Sequence, residues 1–246
     1  MKTKSQTVKT KIIVIISLVL VTTTLLSLSI LHNHAGLIEE QQDMGERIKL
    51  PEPCNTSNTS VEAALSQRRS IRAYSRDKLT IEEVSQLLWS AQGITAPWGG
   101  RTAPSAGALY PLELYLVVGD VGGIDKGVYR YRPEEHELEK VTGGDIRAEL
   151  ADAALGQECV RDAAIDIVFT AVYERTTRKY GERGIRCVHM EVGHAAQNVY
   201  LQAVSLDLGT VVIGGFNDSK VKKIVNLGER ENPLYIFLCR LEERDK

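Results

Sequence analysis

The chain has 246 residues, 43% hydrophobic and 25% charged, with a formal net charge of −2. That balance excludes a disordered chain and, with 20 Gly and 7 Pro, a collagen-like or Pro-rich stalk; a pI near 6.2 argues against a dedicated nucleic-acid binder, which needs a basic field. Four cysteines, at 54, 159, 187 and 239, make no CxxC pair, so neither a zinc module nor a disulfide framework is indicated, and no metal site is expected.

The average charge conceals two unlike pieces. Residues 1–31 hold Lys2, Lys4, Lys9 and Lys11 and no acid, a charge of +4, which leaves −6 for residues 32–246. Ile12 to Leu31 carries no charge, and 20 helical residues rise roughly 30 Å, one bilayer core. Its Ser and Thr hydroxyls can bond back to carbonyls a turn earlier, so they do not forbid insertion. Two readings stand, a transmembrane anchor or a cleaved signal helix. The exit Ile30-Leu31-His32-Asn33-His34 is a poor cleavage site and favours the anchor. Lysines ahead of the span would put the N-terminus in the cytoplasm, giving a membrane-anchored protein with an extracytoplasmic catalytic domain, or a secreted one if the helix is cleaved. Residues 32–60 read as a linker, polar and carrying Pro51 and Pro53, with a short docked helix over 37–49 as the other reading.

From Val61 onward strand and helix signals alternate. Thr80-Ile81-Glu82-Glu83 is a capping box, followed by Val84, Leu87, Leu88 and Ala91 at helical spacing. Leu112–Val118 is an apolar run of β-formers, and Val128–Val141 reads as two strands around Pro133. Asp145–Leu155 reads as helix, Ala164–Val172 as a buried strand, and Cys187–Leu206 as a long helix stopped by Gly209. Thr210–Ile213 and Leu234–Arg240 close the chain as strands around a helix capped by Asp218. The irregular alternation suits a mixed sheet covered by helices.

Three clusters carry the chemistry. Arg68-Arg69-Ser70-Ile71-Arg72 offers three guanidiniums and a hydroxyl, a donor set suited to a phosphate; its plain alternative is a solvated charge run. Arg101 to Pro111 reads RTAPSAGALYP, whose small residues let backbone approach a flat ligand, or simply turn into a strand. Ile213-Gly214-Gly215-Phe216 can aim backbone N–H groups at a ligand.

In this order and spacing the clusters resemble the FMN-dependent nitroreductase superfamily. Lys179-Tyr180, the following Gly-Glu-Arg-Gly and Gly193-His194-Ala195-Ala196-Gln197-Asn198 look like its SagB-type azoline dehydrogenase branch. The resemblance implies an α+β fold, a nitroreductase-like mixed sheet sandwiched by helices over residues 61–246, preceded by one N-terminal transmembrane or signal helix in 1–31. It implies that Arg68, Arg69 and Ser70 hold the FMN phosphate and ribityl chain with Arg240, and that Arg72 lies near the pyrimidine edge. Pro104, Ser105 and Ala106 would line the ring, and Gly214 and Gly215 would face its N5 edge. A homodimer with sites built from both subunits follows from the same resemblance. Ala108 stands where general nitroreductases often carry Asn, and Cys239 where Gly is common before Arg240.

The resemblance also makes Lys179 and Tyr180 the catalytic pair, Lys179 taking a proton from a small-molecule or peptide-borne heterocycle. Arg175, Arg178, Arg183 and Arg186 are close enough in sequence to favour its neutral form; the plain reading is a solvated, charge-rich segment. An NAD(P)H-dependent reductase of nitro or quinone compounds uses the same scaffold without that pair. A non-catalytic flavin-binding subunit of a membrane complex is a third reading. The i, i+5 spacing of His189 and His194 does not put both on one helical face, against a metal pair.

Overall fold

A computed structural model describes residues 45–242 of the chain. In chain order the elements are β1 (Arg47–Lys49), α1 (Val61–Gln67), α2 (Ile81–Gln92), a 3-10 turn (Ala106–Ala108), β2 (Leu112–Val118), β3 (Gly127–Arg132) and β4 (Glu137–Gly143). They continue with α3 (Arg147–Ala153), α4 (Glu158–Asp162), β5 (Ile165–Ala171), α5 (Glu174–Tyr180), α6 (Arg183–Ser205), β6 (Leu208–Ile213), α7 (Asp218–Ile224) and β7 (Asn232–Leu241).

The strands form one sheet in the order β1-β4-β3-β2-β5-β7-β6. Every strand pairing within it is antiparallel, so the mixed sheet expected from the alternation is not found. Eight residues link β2 to β3 and four link β3 to β4, and β7 inserts between β5 and β6, which run the same way without touching. β2 and β5 are buried on both faces. Leu112, Leu114, Leu116, Ile165, Ile167 and Phe169 pack toward α2 and α6; Tyr115, Val117 and Val168 pack toward α3, α4 and α7. The result is a three-layer α+β domain.

The N-terminal expectations divide. Residues 1–31, including the candidate span Ile12–Leu31, lie outside the described residues. Among the described residues no helix is long and apolar enough to cross a membrane; even α6, at 23 residues, carries Arg183, Arg186 and Glu191. The membrane-anchored, extracytoplasmic placement, and secretion as its alternative, are therefore withdrawn. Residues 45–60, assigned to the linker on polarity, run along the domain instead. β1 pairs with β4, with Arg47 donating to Glu137 at 3.0 Å, and the Gln86 side chain bonds both the N–H (2.8 Å) and the carbonyl (2.9 Å) of Cys54. His136 ties Pro51 down: its Nε2 lies 2.9 Å from the Pro51 carbonyl and 2.7 Å from Ser85 Oγ. An edge strand held by ion pairs needs few apolar residues, which is why composition made it look like linker.

Asp166, on β5, is fully buried and neither carboxyl oxygen has a hydrogen-bond partner. Burial drives its pKa well above the ordinary carboxylate range, against the pull of Arg147. The folded state thus keeps a proton that the unfolded chain releases, so this group costs stability as pH rises above about 4. Asp166→Asn is expected to raise the Tm at pH 8, with the gain shrinking toward pH 4. A Tm difference that does not change with pH would contradict a protonated Asp166.

Candidate active site

Helix α6 organises the candidate residues into two groups. The first gathers around Tyr200. α1, capped at Ser60 by a bond from Ala63 N, delivers the arginine segment to β6, where Ile71 N donates to Thr210 O at 2.8 Å. Tyr200 OH accepts from Val212 N at 2.9 Å and lies 3.4 Å from Ser70 Oγ, while the Arg68 guanidinium stands 5.2 Å over its ring. Arg69 turns back onto the Ser66 and Arg68 carbonyls at 3.0 and 2.8 Å. Among the described residues none of Arg68, Arg69 and Arg72 is in an ion pair. Gly214 and Gly215 follow two and three residues beyond Val212, about 7–10 Å along the chain. Both are exposed; a Cβ built there would meet nothing closer than Tyr235 at 3.5 Å and Leu155 at 3.8 Å, so their backbone is open to a ligand. Arg72 is exposed on the side of Cys159, whose pKa burial raises against the pull of that charge.

The second group gathers around the 104–110 turn. Ser105 Oγ accepts from Tyr110 N at 2.9 Å, and the backbone takes positive φ at Gly107 (66°), Ala108 (53°) and Tyr110 (44°). Such a run is uncommon outside glycine and marks a turn held by its surroundings. Those surroundings are Arg101 and α5. The Arg101 guanidinium lies 4.6 Å over the Tyr110 ring and donates to Gln92 (3.0 Å) and Glu134 (3.1 Å), while Arg175 donates to the Tyr110 carbonyl at 2.9 Å and pairs with Glu113. Lys179 and Tyr180, at the end of α5, converge on Gly107. A Cβ there would lie 2.7 Å from Tyr180 OH and 3.0 Å from Lys179 Nζ. Lys179 Nζ itself sits 5.4 Å from the centre of the Tyr180 ring. In the protomer Lys179 is exposed and Tyr180 is 36% exposed. Of the arginines expected to crowd the lysine, Arg175 is engaged with Glu113.

One residue of this group was missed by sequence reasoning. Glu191 on α6 is 2% exposed and has an Oε1 without a partner. Burial pushes its pKa up to about 7, against the opposing influence of Ser105 and Arg101. The signal was available: Glu191 falls on the same helical face as Val188 and Ala195, both fully buried.

Tyr200 and Glu191 are nine residues apart, two and a half turns, which puts them about 13 Å apart along the axis and on opposite sides of the helix. Arg240 joins neither group. Strand alternation sends Arg240, like Leu238, to the α3–α4 layer, where its Nη1 donates to Asp120 (2.9 Å) and to the Asp162 carbonyl (2.8 Å). Its expected part in phosphate binding is corrected accordingly. Among the described residues no His, Cys, Asp and Glu cluster could hold a metal ion; His189 is hydrogen-bonded to Tyr173 OH at 2.7 Å.

The convergence on Gly107 separates conformational cost from contact. Gly107→Ala is expected to lose about 1 kcal/mol in urea unfolding, the cost of a left-handed non-glycine residue. The flexible ends of Lys179 and Tyr180 should move aside, changing the Tyr180 ring signals in NMR spectra. Unchanged Tyr180 signals would contradict the contact.

Comparison with known proteins places this geometry. Residues 65–239 match the nitroreductase family. MJ1384 of Methanocaldococcus jannaschii, named for the nitroreductases, is 46% identical over 194 residues, 79% of this chain and 96% of its own length. The microcin B17-processing protein McbC of Escherichia coli is 32% identical over 161 residues, 63% of this chain and 59% of McbC. A nitroreductase-type structure from Ralstonia eutropha JMP134 superposes with a TM-score of 0.71 at 30% identity, covering 81% of this chain and 90% of that one. The E. coli microcin synthetase McbBCD, bound to truncated pro-MccB17, gives 0.64 at 28% identity, covering 80% and 78%. The chain belongs to the nitroreductase family of oxidoreductases.

Proposed function

We propose that this chain is an FMN-dependent dehydrogenase of the SagB type, which oxidises an azoline-like heterocycle on a small molecule or peptide, and that it works as a homodimer. The observation that carries the reading is the meeting of Lys179 Nζ and Tyr180 OH at Gly107, within the Pro-Ser-x-Gly turn. The likeness to McbC, a microcin B17-processing protein, supports it.

The donor set fits FMN. Arg68 and Arg69, without ion pairs among the described residues, a serine hydroxyl and two exposed glycines lie along β6 and α6, as an anionic phosphate and a flat ring require. Arg68, Arg69 and Ser70 would hold the phosphate and ribityl chain. Gly214 and Gly215 would offer N–H groups to the ring, and Arg72 would supply positive charge on the side of Cys159. Bound FMN would supply a two-electron acceptor, and Lys179 would be the group that takes the proton from the ring carbon beside the heteroatom. Tyr180 OH would orient the heterocycle. Pro104, Ser105 and Ala106 would be brought to the arginine group by a second copy, completing the site. Exposed Ile185 (39%) and Met190 (56%) on α6 support a dimer through that helix.

The relative MJ1384, named for the nitroreductases, favours a second reading, reduction of nitro or quinone compounds by NAD(P)H on the same scaffold. The full chain purified with FMN separates the two. The expected result is a bound-flavin absorption spectrum and oxidation of a thiazoline-bearing peptide that Lys179→Ala abolishes while the flavin stays bound. Fast nitroarene reduction by NADPH, indifferent to Lys179→Ala and without thiazoline oxidation, would support the second reading. Flavin binding with neither activity would mark a non-catalytic subunit, and a colourless protein would overturn the cofactor itself.

A further inference from the structure

Helix α5 has little of its own to hold it in place. Of its seven residues only Thr176 is buried, and no side chain caps its N-terminus. A close backbone approach, in which a Cβ at Gly184 would meet Thr177 Cα at 2.9 Å, fixes its distance from α6. That approach does not tie α5 to the 104–110 turn, on which Lys179 and Tyr180 meet. Arg175 makes the tie. Its Nη1 donates to the Tyr110 carbonyl at 2.9 Å, and its Nη2 pairs with Glu113 Oε1. Arg175 and Lys179 are four residues apart, on one face of α5. The first reaches the end of the turn at Tyr110, the second its middle at Gly107. The guanidinium is aimed from the sheet. The Glu113 side chain on β2 is 12% exposed, and Arg130 of β3 holds its other oxygen at 2.9 Å. Arg130 also faces Glu231 at 3.6 Å, whose Oε2 accepts from Tyr115 OH at 2.6 Å. A carboxylate with both oxygens engaged has little freedom to swing, and neither has the guanidinium it holds.

We propose that Arg175 is a positioning residue: aimed by Glu113, it ties the first turn of α5 to the Tyr110 carbonyl and so sets where Lys179 and Tyr180 stand against Gly107. The catalytic consequence rests on the role proposed above for that pair; the hold on α5 and the turn does not. A guanidinium suits the task because its N–H groups diverge in one plane, here one toward a carboxylate and one toward a carbonyl. A lysine has a single nitrogen and would satisfy one partner at the expense of the other. The turn is where the tie matters, because Gly107, Ala108 and Tyr110 all hold positive φ, a conformation that needs external support. The Arg175 side chain is 39% exposed, so its removal opens no cavity in the core, and Glu113 keeps Arg130. Loss of the tie therefore frees one helix and one turn and leaves the fold standing.

Three variants of the full chain test this: Arg175→Ala, which removes both bonds, Arg175→Lys, which keeps the charge without the fork, and Glu113→Gln, which leaves the guanidinium unaimed. Amide hydrogen exchange reads the hold directly. Arg175→Ala should exchange about tenfold faster over both 106–110 and 174–181, with β3 and β4 unchanged, and Arg175→Lys should fall between it and the wild type. With FMN and a thiazoline-bearing peptide, Arg175→Ala should lower kcat about tenfold with KM within about twofold and flavin still bound. Glu113→Gln should lower kcat in the same way, and joining it to Arg175→Ala should add little, since both cut one tie. Arg175→Ala exchange over 106–110 equal to that of the wild type would overturn the proposal. So would an Arg175→Ala enzyme with wild-type kcat where Lys179→Ala has none, or losses in Glu113→Gln and Arg175→Ala that multiply in the double variant. If the wild type neither binds flavin nor oxidises the peptide, the functional reading fails, while the exchange data still decide the hold of Arg175 on the turn.

Discussion

Burial of β2 and β5 on both faces is the constraint on which the rest of the structure depends. A strand apolar on one face needs one covering layer; these two need two, and helices on both sides of the sheet supply them. With α2 and α6 against one face, the arginine segment meets β6 beside Tyr200, and the stretch leading into the 104–110 turn is bonded to α6 through Asn198. The site residues therefore follow from the packing of a core to which most of them do not belong.

Helix α6 then acts as a ruler. It sets Tyr200, around which the phosphate-suited group gathers, two and a half turns from Glu191. In the proposed symmetric dimer each copy would supply the half the other lacks. On the opposite face, Arg147, Asp145, Asp120 and Arg240 form an ion-paired cluster of their own. Arg240 belongs to it because paired charges tolerate burial where a lone one does not.

What could be read from sequence was what local chemistry decides. Leu112–Val118 was delimited by its own apolar run, and the Thr80–Glu83 capping box is present with both of its bonds. The last helix is capped by Asn217 rather than Asp218, one residue off, because either side chain can accept the bond. α5 escaped notice: Glu174–Tyr180 buries only Thr176, so no apolar period marks it. β1 escaped because ion pairs hold it at a sheet edge. Arg240 was read from residue type, but strand parity decided its face, and parity depends on a register that composition does not show. Glu191 was hidden by the habit of counting a charged residue as exposed.

The central claim is that each functional site joins the arginine group of one copy to the Lys179–Tyr180 group of another. Mixed dimers test it most directly. Protomers carrying Arg68→Ala with Arg69→Ala, inactive alone, are combined with protomers carrying Lys179→Ala, also inactive alone, and thiazoline oxidation is measured. A shared site predicts that mixing restores activity, because one of the two sites in each mixed dimer then draws only on unaltered groups. Mixed dimers that form and stay inactive would contradict it and place both groups' work within a single copy.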